Sequence, residues 1–177
     1  MAGIFKPYDV MQDYENIDFI QVATDTLQNG YAVVADALVG TYLDGYGAIY
    51  TPGKPTSATP TNIAIVCAEE YYQDVNGNRI DINDPTLLTF TTGQRIRIIR
   101  PAMNKKYFMS NDLITGTPVV GQYVIPTASA YGWTVATTLA STDTVALKIE
   151  EINVNDYFVG LASVPGVRLR VTRANNE

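Results

Sequence analysis

The apolar positions of this chain fall in short alternating runs rather than at helical spacing. Val167-Arg168-Leu169-Arg170-Val171-Thr172-Arg173 sets three aliphatic residues on one side of an extended backbone and Arg168, Arg170 and Thr172 on the other, the period of two that a half-buried strand requires. Gln94 to Arg100 repeats the device, with Ile96 and Ile98 inward and Arg95 and Arg97 outward until Pro101 ends the run, since proline has no ladder donor. Thr144 to Glu150 does the same through Val145, Leu147 and Ile149. Ile63 to Cys67 is continuously apolar and reads as a fully buried strand whose thiol packs as a small hydrophobe.

Further strands are predicted over Tyr31–Leu38, Ala48–Thr51, Asn62–Ala68, Leu87–Thr91, Tyr107–Met109, Gly121–Ile125, Trp133–Thr137 and Tyr157–Leu161. Their spacing of about 8–14 residues, with turn signals between, suits a sandwich or barrel. Asn76-Gly77 is the strongest turn, because both residues tolerate positive φ, and it should join a strand near Tyr71-Tyr72 to one near Ile80-Ile82. Gly40 to Pro60 holds four Gly and three Pro and reads as a hairpin tip or long surface loop. Near the N-terminus, Val10, Met11, Tyr14 and Ile17 keep helical spacing, but Phe19, Ile20, Val22, Thr24 and Thr26 interrupt it. Residues 1–25 are therefore expected to form an arm or short helix that docks on something, and residues 26–177 a β-rich domain.

Composition strengthens this reading. Val, Ile, Thr, Tyr, Phe and Trp supply 70 of the 177 residues and Lys, Glu and Gln only 17, a balance that fits pleated, half-buried surfaces. The expected fold class is all-β, mainly antiparallel, a sandwich or barrel-like domain with an irregular N-terminal arm.

Chemistry is narrowed by what is missing. With no His there is no His–Ser or His–Cys pair and no Cys/His zinc finger, and the single Cys67 cannot close an intramolecular disulfide. Asp74-Val75-Asn76-Gly77-Asn78 places oxygens as the start of a calcium loop does, yet Arg79 and Pro85 stand where Gly and the bidentate Glu are needed, so no metal is expected. The close carboxylate pairs are Glu69/Glu70, Glu150/Glu151 and Asp81/Asp84. Adjacent strand residues point to opposite faces, and Glu150/Glu151 reads as a strand end in solvent. No catalytic residue and no cofactor are assigned, and the chain is not expected to be an enzyme.

Charge is uneven: residues 1–90 carry 3 basic and 12 acidic side chains (−9), residues 91–177 carry 9 and 6 (+3), for a net −6. If the halves separate in space, the molecule is electrically bipolar, an arrangement that steers contacts between copies or with a charged lattice. The acidic total argues against a nucleic-acid partner. The opening Met1 to Tyr8 reaches Lys6 and Pro7 before any apolar h-region, and no apolar run approaches the length of a spanning helix, so no export and no membrane partner are expected. Tyr131-Gly132-Trp133 and the tyrosines 42, 46 and 50 suit stacking on sugar rings, a protein interface or a core.

Taken in order, the segments resemble a family. An arm is followed by Asn29-Gly30-Tyr31-Ala32-Val33-Val34, a Gly/Pro-rich stretch around Ala48-Ile49-Tyr50, Ile63-Ala64-Ile65-Val66 and Phe90-Thr91-Thr92-Gly93-Gln94-Arg95-Ile96-Arg97. Lys106-Tyr107-Phe108-Met109-Ser110, Leu113-Ile114-Thr115-Gly116, Val120-Gly121-Gln122-Tyr123-Val124 and Ala146-Leu147-Lys148-Ile149-Glu150 come next, closing with Val167 to Val171. This succession, covering most of residues 1–173, resembles the head decoration (cement or auxiliary) proteins of tailed bacteriophages. The resemblance implies a non-enzymatic virion protein on the capsid exterior, synthesised in the host cytoplasm, that binds and bridges major capsid protein subunits and associates with copies of itself, a trimer being one candidate form. The contact residues proposed on this basis are Phe5, Tyr8, Tyr14 and Phe19 as apolar anchors of the arm, with Arg95, Arg97, Arg168 and Arg170 on the strands. The alternative is a phage tail or fibre module that binds a host-surface glycan or receptor.

Overall fold

The structure is a computed structural model and describes residues 4–7, 18–41, 48–56, 62–67, 71–73, 79–81, 89–159 and 162–174. Every regular element among them is a strand, apart from one 3-10 turn at Asn111–Leu113, so the all-β expectation holds. Two assemblies dominate.

The first is a closed five-stranded barrel built from β2 (Asp18–Gln21), β4 (Ala32–Thr41), β5 (Ala48–Gly53), β6 (Ile63–Val66) and β10 (Arg95–Ile99). The second is a seven-stranded sheet. Its strands are β1 (Phe5–Pro7), β11 (Lys106–Ser110), β12 (Ile114–Thr115), β13 (Tyr123–Pro126), β14 (Trp133–Ala136), β15 (Ala146–Val159) and β16 (Ala162–Arg173). Two small ladders complete it: β3 (Leu27–Gln28) with β9 (Thr89–Phe90), and β7 (Tyr71–Gln73) with β8 (Arg79–Asp81). Pairing is antiparallel except for β2 with β5 and β12 with β14. The expected strands around Tyr71-Tyr72 and Ile80 do pair, Tyr72 opposite Ile80; the Asn76-Gly77 turn lies outside the described residues.

Two apolar cores explain the arrangement. One fills the barrel, with Ile20, Val33, Ala64, Val66, Ile96 and Ile98 pointing inward. The other lies between the barrel wall and the large sheet, joining Ala32, Ile63 and Ile65 to Tyr107, Met109, Leu147, Ile149 and Trp133. β6 alternates between the two, and it has no polar side because both of its faces are covered. Cys67, just beyond it, is a buried thiol as expected.

Trp133 pins the junction. Its ring is fully buried and its Nε1 donates to the Gly30 carbonyl at 2.8 Å. Gly30 holds a positive φ of 82°, where a side chain would run into Leu113 and Phe5. Its own N–H donates to the Val66 carbonyl at 2.8 Å, so barrel and sheet meet at a residue that has to be glycine.

Several segments differ from expectation. Residues 5–7 and 18–21, within the stretch 1–25, are strands of the large sheet and the barrel. The strand expected over Ala48–Thr51 is present and runs on to Gly53 as a barrel strand between β2 and β4, so that part of the Gly40–Pro60 stretch is not a surface loop. The runs around Thr144–Glu150 and Tyr157–Leu161 belong to one 14-residue strand, at least as far as Val159.

Candidate functional site

The sheet face turned away from the shared core carries Arg168 and Arg170. Lys106, Arg170 and Lys148 lie in register across β11, β16 and β15. Glu150 bridges Arg170 and Lys106, the latter at 3.3 Å, and Glu151 pairs with Arg168. Partial burial pushes the Glu150 carboxyl up, but its hydrogen bonds to Arg170 and Lys106 outweigh that and hold it below the usual carboxylate range.

Glu150 and Glu151 are therefore not a strand end in solvent. The register steps from Ile149 opposite Leu169 to Glu151 opposite Arg168, a bulge that inserts one residue and lets two neighbours reach the same face. Alternation, the rule that separated them in the sequence reading, fails at that step.

Beyond Ile149 and Gly166, β15 and β16 pair only with each other among the described residues, as far as Val159 opposite Ala162. At about 3.3 Å per residue the four β16 residues from Pro165 to Ala162 carry this ribbon roughly 13 Å past the sheet. Glu151, Ile152, Asn153, Asn155, Ser163 and Pro165 along it are exposed. Asn153 adopts a positive φ of 56° at one of its register shifts. Gly166 marks its root, because a Cβ there would stand 2.5 Å from the Met109 carbonyl oxygen and 2.6 Å from the Phe108 ring. A second exposed apolar place is Leu38 and Val39 on β4, where β6 no longer flanks that strand.

A polar cleft of about 510 Å³ opens where barrel and sheet meet. The Tyr131 hydroxyl donates to Asp25 Oδ2 at 2.8 Å, and the Lys54 ammonium lies 3.2 Å from the same oxygen and 5.3 Å from the Tyr131 ring centroid. Tyr131 also stacks on Tyr31, with centroids 5.7 Å apart and planes 7° from parallel. The hydrogen bond from Tyr131, then that from Lys54, lowers the Asp25 pKa; burial, and then the Asp25 carboxylate, raises that of Tyr131, and burial raises that of Tyr31. At neutral pH Asp25 is therefore a carboxylate and Tyr131 a phenol.

The predicted contact residues scatter. Phe5 is buried in the shared core, only 3% exposed; its carbonyl accepts from Asn29 Nδ2 at 3.2 Å and its ring lies 5.0 Å from that of Tyr107. It is not available as a surface anchor. Phe19 is half-buried in β2, opposite Arg97 and Ile49. Tyr8 and Tyr14 lie outside the described residues. Arg95 is exposed and Arg97 half-buried on β10, whereas Arg168 and Arg170 sit on the other assembly and are engaged in ion pairs. Trp133, proposed for sugar stacking, is core; Tyr50 is half-buried in the barrel wall, with Arg100 5.3 Å from its ring centroid, and Tyr42 and Tyr46 lie outside the described residues. The cleft residues Asp25 and Lys54 escaped sequence reading because they are isolated charges in unremarkable loops, and only the fold brings them to Tyr131.

Comparison with protein families, curated proteins and solved structures finds no match for this chain.

Proposed function

We propose that this chain is a non-enzymatic structural protein that binds the outer surface of a tailed-bacteriophage capsid, bridges major capsid protein subunits and works there alongside copies of itself. The viral setting rests on the ordered segments that resemble head decoration proteins. The observation that supports a docking role is the β15–β16 ribbon. A two-stranded β ribbon is marginal in water without a third strand or a packing surface, and the last described residues of its β15 strand are Tyr157, Phe158 and Val159, an apolar sequence suited to a receiving surface. Many copies of such a contact on one shell convert modest affinity into slow release.

The arm deletion suggested by the sequence is a poor test, because removing residues 1–20 also removes β1 and most of β2, including the fully buried Ile20. The better experiment replaces Tyr157 and Phe158 together by Ser and measures occupancy on purified capsids by co-sedimentation. The reading predicts a folded protein that no longer co-sediments; undiminished occupancy would contradict the ribbon's role.

A further inference from the structure

We propose that the cleft between barrel and sheet is a binding site for a neutral saccharide. This goes beyond the capsid reading and does not depend on it. Four observations converge.

The cleft is rigid before any ligand arrives. Its sheet-side wall, the loop from β13 to β14, is tied to the barrel by Ser129 N–H to the Pro55 carbonyl at 2.7 Å and Ala32 N–H to the Tyr131 carbonyl at 2.7 Å. The Asp25–Tyr131–Lys54 network fixes the aromatic wall from the other side. A site held in this way loses little entropy on binding.

Its polar groups are unspent. Gln28, Asp112, Thr115 and Ser129 line the cleft, and among the described residues their side chains make no hydrogen bond. An amide, a carboxylate and two hydroxyls together offer both donors and acceptors, the complement of a ring bearing several hydroxyl groups. Beside them stand the Tyr31 and Tyr131 rings, stacked on each other with Lys54 over Tyr131, whose exposed edges add apolar contact for a sugar's C–H groups. The volume of about 510 Å³ falls within the range of small-molecule sites, and a junction between two substructures is a usual place for one.

Ser129 holds a positive φ of 61°. A non-glycine residue in that region is strained, and such strain collects at ligand-binding walls.

Charge selects within the class. Asp25 and Asp112 against Lys54 leave the lining at −1, inside a chain of −6. A sialylated or sulfated glycan would enter against repulsion, while a neutral one would not. The aromatic contact in this cleft comes from Tyr31 and Tyr131, since Trp133 is buried in the shared core.

The test uses the intact chain on an array of immobilised neutral, sialylated and sulfated oligosaccharides, followed by titration of the best neutral binder in solution. Gln28→Ala and Asp112→Ala remove uncommitted side chains and leave both cores intact; Lys148→Ala, on the outer sheet face, is the control, and urea unfolding verifies that all three fold. The expected result is binding of neutral glycans, weakened about tenfold or more by each cleft variant and unchanged by Lys148→Ala. No neutral binder, a preference for acidic glycans, or equal affinity in the cleft variants would overturn the proposal. Capsid occupancy is a separate readout, so failure here is distinguishable from failure of the capsid reading.

Discussion

β6 of the barrel and β16 of the large sheet are both flanked by strands on each side, yet they meet their surroundings differently. In β6, Ile63 and Ile65 enter the shared core while Ala64 and Val66 enter the barrel. In β16, Val167, Leu169 and Val171 enter the shared core while Arg168 and Arg170 meet carboxylates of the neighbouring strand. The barrel wall thus serves two cores, and the sheet one core and a charged face. Burial on both faces leaves no room for adjustment, whereas a charged face tolerates substitution because surface ion pairs contribute little.

The comparison is tested most severely at the junction. Trp133→Ala empties the centre of the shared core and leaves the Gly30 carbonyl without its donor; a loss of about 3–5 kcal/mol is expected, read by urea unfolding. Because barrel and sheet share that core, both should unfold in one transition, and two separated transitions would show that they are independent. Gly166→Ala comes next. The added methyl meets the Met109 carbonyl and the Phe108 ring, and overpacking of this kind costs about 1–3 kcal/mol; an unchanged midpoint would mean that β11 and β16 part easily.

The smallest effect belongs to the charged face. Glu150→Gln should cost about 1 kcal/mol or less at neutral pH and low salt, and added salt should shrink the difference. The folded-state pKa of Glu150 lies below its ordinary value of 4.5, so its contribution is complete above that value and is lost as pH falls through the folded pKa. Wild type and variant should therefore converge in acid. A difference that persists there would assign the effect to packing.

The same contrast accounts for what the sequence revealed. Strands with one covered face announced themselves by alternation, as at Val167–Val171 and Ile96–Ile98, and the continuous run Ile63–Val66 announced a strand covered twice. Lost were the elements whose chemistry opposes their structure. Pro165 and Gly166 stand inside β16, where both residues ordinarily argue against a strand; the bulged ladder accommodates Pro165, and close approach of Phe108 requires Gly166. Asn153 at positive φ lets the polar stretch of β15 continue through a register shift. Pro52 is tolerated in β5 opposite Ala35, where the described β2 ladder has already ended. Eight of the twelve acidic residues of the first half lie outside the described residues, and β10 brings Arg95 and Arg97 into the barrel with Asp18 and Asp36, so the described barrel strands carry no net charge.

Of the cleft, only Tyr131 was singled out in the sequence, within Tyr131-Gly132-Trp133. Phe5 reads as an anchor in a terminal segment but closes the edge of the large sheet through β11, where the Ile4 N–H donates to Ser110 Oγ at 2.8 Å. Asp25, Lys54 and Tyr131 come from three separate loops, and no spacing rule links them. Long-range juxtaposition is the property that local pattern does not encode.

We propose that this chain is a shell-bound structural protein. The most direct measurement is quantitative mass spectrometry of purified virions from the producing culture, giving the ratio of this chain to the major capsid protein. A shell-bound protein should be present in simple proportion to the shell; a handful of copies per particle, or none, would contradict that role.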